Sequence, residues 1–71
     1  MAGNRRLITD QDFQEAMLNE TGIRVFRDDH VVDAGVVIIR FDDSVVVTQS
    51  GVSDISYHDR RECDFFEMNK R

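Results

Sequence analysis

The apolar positions of this chain change period once, near Gly22. Before it, Phe13, Ala16 and Met17, with Glu20 at the far end, recur at i, i+3, i+4 and i+7, the spacing of one helical face. Thr9 is a good N-cap, and Asp12 three residues on completes a variant of the capping box. Ile8 and Phe13 stand at the hydrophobic-staple positions. Asp10, Asp12 and Glu15 place negative charge where the helix dipole favours it. Gly22 is the residue expected just past the end. The pattern predicts a thin amphipathic helix over about 10–21, lying on another layer.

After Gly22 the pattern is that of short strands. Ile23–Arg27 roughly alternates, and Asp28-Asp29-His30 signals a turn. Val31 to Phe41 is strand-like, with Gly35 marking a bulge or bend. Val45–Thr48, Ile55–His58 and Cys63–Met68 follow, separated by Asp42-Asp43-Ser44, Gln49-Ser50-Gly51 and Asp59-Arg60-Arg61. One helix and five short strands with short loops predict a meander curling into a sandwich or small barrel. Val36–Ile39 is apolar on both faces and calls for cover on two sides. The expected core is Phe13, Met17, Ile23, Val25, Val37, Ile39, Phe41, Val45, Val47, Ile55 and Phe65.

Length and charge narrow the function. The 71 residues form a single domain, 1–71, with 1–8 expected as a flexible N-terminus and the strands spanning about 23–68. A chain this short buries only about 60% of its unfolded surface, which makes oligomerisation an attractive way to complete the core. The net charge of −5 works against nonspecific polyanion binding. No signal peptide follows Arg5-Arg6, and the longest apolar run, Val36–Ile39, cannot span a bilayer. A single cysteine, Cys63, forms no internal disulfide. These features point to the cytoplasm, with no membrane partner.

Several groups invite a chemical reading. His58, Asp59, Glu62 and Cys63 crowd one region, but no second ligand pair at zinc spacing accompanies them. They read as a polar turn before a strand with a buried thiol, so no metal or cofactor is expected. Cys63 as a nucleophile needs a histidine and a cleft. With no nucleophile–base pair and no Gly-rich phosphate loop, the chain does not read as an enzyme. Asp28, Asp29, Asp42, Asp43 and Asp54 fall in or beside turns, where such side chains bond local backbone, and the calcium-loop pattern is absent. Arg5-Arg6 and Arg60-Arg61 are basic pairs able to meet phosphates, against a default of ordinary surface charge. Tyr57 and Phe26 suit base stacking, or half-buried strand packing.

The order of a helix and five strands resembles the Sm-like fold, and its bacterial Hfq family in particular. Phe13, Ala16 and Glu20 fall where that family's helix carries Phe, Ala and Glu. Gly35 matches the glycine that lets the second strand bend, and Phe41-Asp42 the Phe-Asp of the Sm1 motif. Val45, Val52-Ser53 and Tyr57 continue the match, which spans about residues 10–66. The resemblance implies an α+β, mostly β architecture. An N-terminal helix precedes a five-stranded, antiparallel, strongly bent small barrel of Sm/SH3 type. It also implies a homo-oligomeric ring, a hexamer favoured, and RNA binding in post-transcriptional regulation.

The departures alter that function. The family's Tyr-Lys-His is Tyr57-His58-Asp59 here, and an aspartate there repels phosphates. Its stacking Phe becomes Ser44, its arginine-rich rim becomes Leu18-Asn19-Glu20-Thr21, and its distal aromatic aligns with Arg27. Two functional readings result. In the first, Tyr57 stacks a base, His58 bonds its edge, and Arg27, Arg60 and Arg61 meet phosphates, with weak or altered specificity. In the second, the chain is an acidic protein-interaction module of the phage or mobile-element inhibitor type. It presents Asp28, Asp29, Asp42, Asp43 and Asp54 to a basic protein partner, mimicking nucleic-acid phosphates.

Overall fold

The structure, a computed structural model, describes residues 5–68. In chain order the elements are β1 (Arg6–Leu7), α1 (Asp10–Leu18), β2 (Ile23–Arg27), β3 (His30–Phe41), β4 (Val45–Ser50), β5 (Asp54–Asp59) and β6 (Asp64–Glu67). The strands form one antiparallel sheet in the order β1-β6-β2-β3-β4-β5. The mostly β architecture with one helix is as the sequence predicts. The closed five-stranded barrel is not. The sheet has six strands and stays open, because β1 occupies the outer edge of β6 and leaves β5 unpaired on its own outer side. Within the N-terminal stretch expected to be flexible, Arg6 and Leu7 form β1, while residues 1–4 lie outside the described region. Leu7 enters the core there, so Ile8, one position on, faces solvent and does not staple Phe13.

The helix begins as predicted. Thr9 Oγ1 accepts from the Asp12 amide at 3.1 Å, and the Asp12 carboxylate accepts from the Thr9 and Ile8 amides at 3.0 and 2.9 Å. It ends three residues before the expected Thr21. Asn19 is the C-cap, and Glu20 takes a left-handed φ of +52° in place of the glycine expected at 22. The Glu20 amide donates to the Met17 carbonyl and the Thr21 amide to the Ala16 carbonyl, which is the Schellman arrangement. Phe13 and Ala16 are buried, and α1 lies against β3.

Strand positions follow the sequence, but their inward phase does not. Val36 and Ile38 are buried where Val37 and Ile39 were expected, and Val46 where Val45 was. Bulges cause the inversion on β3. Ile38 pairs with Thr48 and Arg40 with Val47, so Ile39 is an extra residue. Counting back from inward-facing Phe41, that insertion moves the core face from 39 and 37 to 38 and 36. Gly35 is a second insertion, between Ala34 paired with Arg24 and Val36 paired with Ile23. Its φ of +69° is the conformation glycine tolerates. On β4 the pairing of Phe41 with Val46 puts Val46 on the core side. Val47 is buried too, but apart from the core cluster. Ile55 faces outward and is exposed. Phe13 centres the core, with Phe65 edge-on at 5.4 Å and Phe41 at 5.7 Å between ring centroids.

Candidate interaction surfaces

The turn aspartates divide by what they do locally. Asp42 accepts from the Ser44 and Val45 amides at 2.8 and 2.9 Å, and those bonds hold its carboxyl below the usual range. Asp28 and Asp29 form the two-residue β2–β3 hairpin loop with φ of +53° and +67°, a type I′ geometry that usually selects Asn-Gly. Asp28, Asp29, Asp43 and Asp54 are exposed, and among the described residues no ion pair or side-chain hydrogen bond engages them. The fold does not gather the five predicted acids on one site. Asp28 and Asp29 stand at the start of β3, Asp42 and Asp43 follow its end, and Asp54 opens β5.

The residues assigned to RNA are placed very differently from one another. Tyr57 and His58 are successive on β5 and point to opposite faces. Tyr57 is 73% exposed. His58 points inward, and its Nε2 meets Asp33 Oδ2 at 3.1 Å. Thr48 Oγ1, on a fully buried residue, donates to the same Asp33 oxygen at 3.2 Å. The imidazole thus belongs to an internal polar network. Arg27 pairs with Glu62 at 2.7 Å. Arg60 is a clamp whose guanidinium lies 4.5 Å from the Phe13 ring centroid and 5.8 Å from that of Phe41. Its Nη1 donates to the Asp42 carbonyl at 2.8 Å, and its Nη2 pairs with Asp10 at 2.7 Å. Arg61 is exposed; its backbone amide, at the following turn, donates to Asp59.

A further arrangement brings together residues that the sequence reading kept apart. The register of β2 with β6 sets Phe26 opposite Asp64, with Phe66 diagonal to it. The Phe26 and Phe66 rings meet edge-to-face at 5.5 Å and 84°. With Asp29 and Asp64 they line an open pocket of about 320 Å³. Phe66 and Asp64 went unnoticed in sequence. The one available signal was the Phe65-Phe66 pair, since alternation must turn one of two successive rings outward. Asp33 and Thr48 gave no signal, because their contacts join β3, β4 and β5.

No protein-family model, no curated protein and no solved structure matches this chain. Its function is read from its own residues.

Cys63 is buried, and burial pushes its thiol up, away from the thiolate a nucleophile requires. Among the described residues no three His, Cys, Asp or Glu side chains are grouped to hold a metal ion. No helix among them is long and apolar enough to cross a membrane.

Proposed function

We propose that this protein is an acidic interaction module that docks a basic protein partner. One observation carries the reading: several arginines are paired with carboxylates of the chain itself, whereas the acidic turns are left to solvent, unpaired among the described residues. Arg5 pairs with Asp12 and Glu67, Arg6 with Asp64, Arg27 with Glu62 and Arg60 with Asp10. Asp28, Asp29, Asp43 and Asp54 keep their charge outward. Such a field speeds encounter with a basic surface and makes association salt-sensitive. The test is fluorescence anisotropy with a labelled arginine- and lysine-rich peptide, set beside labelled oligouridine and oligoadenine RNA. Saturable peptide binding that weakens at high salt is expected, with no saturable RNA binding. Saturable RNA binding without peptide binding overturns the reading.

A second reading, an oligomeric Sm-like module that binds RNA, draws support from the helix at the start, the order β6-β2-β3-β4-β5 and the long, bulged β3. Exposed Tyr57 and Arg61 are the side chains through which it would act. A head-to-tail ring built through sheet edges needs two free edges on each subunit. Here the two-residue β1 occupies the β6 edge, so the outer strands are β5 and the very short β1, a poor pair of edges for such a ring. Light scattering on the eluting protein separates the two: a hexamer favours the ring, and a monomer or dimer the module.

A further inference from the structure

From the pocket between β2 and β6 we infer that Phe26, Phe66, Asp29 and Asp64 form a receptor for an arginine side chain of the basic partner. This deepens the proposed interaction reading and rests on it. The two rings, nearly perpendicular at 84°, make a corner with a ring face and a ring edge. A guanidinium is planar, weakly hydrated and stacks on aromatic faces, which suits such a corner better than a compact ammonium. The carboxylates of Asp29 and Asp64 supply acceptors for its fork of N–H donors. The pocket, about 320 Å³ and open to solvent, admits a side chain from outside.

Arg6 and Arg24 stand directly opposite Phe66 on the flanking strands, but neither lines the pocket. Arg6 bonds one oxygen of Asp64, Oδ1, at 2.7 Å, in a pair about half exposed on both sides. Exposed pairs are weak, so an incoming guanidinium can share or displace that bond at little cost. Asp29 meanwhile sits in a left-handed conformation where asparagine or glycine is the ordinary choice, and its charge stands at the rim of the aromatic corner.

The experiment is a two-dimensional NMR titration of the full chain with N-acetyl-arginine methylamide. The lysine analogue and the neutral, near-isosteric citrulline analogue serve as controls. Arginine is expected to shift the amides of Phe26, Asp29, Asp64 and Phe66 in a saturable manner, lysine more weakly and citrulline not at all. Asp29→Asn keeps a residue suited to the turn while removing the charge. It should weaken the arginine response about threefold, in line with one exposed charge contact. Phe66→Leu should abolish the preference of arginine over lysine. Equal responses to arginine and citrulline, equal responses to arginine and lysine, shifts centred elsewhere, or an Asp29→Asn protein with unchanged affinity would each overturn the assignment. If the basic peptide binds while the arginine analogue leaves the pocket untouched, this inference fails and the interaction reading stands. If the analogue binds there and the basic peptide does not, the interaction reading fails, and the partner's arginine with it.

Discussion

Arg60 illustrates how one side chain changes meaning between sequence and structure. Beside Arg61 it reads as half of a phosphate-binding pair, yet its side chain is only 15% exposed. It covers Phe13 with its cationic face and ties the β5–β6 turn to the β3–β4 turn through the Asp42 carbonyl. Its own amide donates to the Ser44 carbonyl, which reinforces the same junction. The ion pair with Asp10 adds little, since Asp10 is well exposed. Stacking, a charged hydrogen bond and the covering of apolar surface carry the contribution. Arg60→Ala should cost about 2 kcal/mol in urea denaturation, and Arg60→Lys should recover little of it, because an ammonium cannot stack and fork at once. Full recovery by lysine would mean that charge alone matters at this position. No sequence motif distinguishes Arg60 from Arg61. Only the packing of the β5–β6 turn over Phe13 separates them.

At the scale of elements, the helix start was legible because its hydrogen bonds are local: Thr9 and Asp12 are three residues apart. Its end was misplaced because Glu20, and not the nearby glycine, occupies the left-handed position of the Schellman turn. A side chain there carries backbone strain, and a negative charge at a helix C-terminus opposes the dipole. Glu20→Gly should therefore raise the free energy of unfolding by about 0.5–1 kcal/mol, the relieved strain outweighing glycine's greater unfolded entropy. A lower midpoint would show that Glu20 makes a stabilising contact. β3 behaves similarly. Its extent and the bulge at Gly35 were clear from its run of β-formers and from the glycine, while its phase depended on a further insertion at Ile39 that is defined only against β4.

For the whole molecule, charge and capping pull stability in opposite directions as pH falls. Hydrogen bonds from the Thr9 and Ile8 amides hold the Asp12 carboxyl down at about 2, and those from Ser44 and Val45 lower Asp42 as well. The native state keeps these groups ionised while the unfolded chain takes up protons first, so folding is favoured above pH ~4 and loses that support between pH ~4 and ~2. Relief of self-repulsion in a chain of net charge −5 acts the other way as the remaining acids titrate. Denaturation midpoints should hold or rise from pH 7 to about 5, then fall below about 4. Asp12→Asn should be less stable at pH 7 and lose less on acidification. A wild-type midpoint that keeps rising down to pH 2 would contradict this account.

Sequence by itself determined what local physics controls. Side chains that bond neighbouring amides placed the helix cap and the Asp42 turn, and runs of β-formers between turn residues placed the strands. The Asp28-Asp29 loop was legible for the same reason, although its left-handed geometry was not. Tertiary structure decided whatever depends on which strand lies beside which. That includes the open six-stranded sheet, β1 on the edge of β6, the inverted core phase of β3, the capture of His58 by Asp33, and the meeting of Phe26, Phe66, Asp29 and Asp64. Side chains alternate across a strand, so one inserted residue exchanges its two faces. Gly35 signalled its own insertion, but the one at Ile39 is fixed by the partner strand, and no local pattern records it.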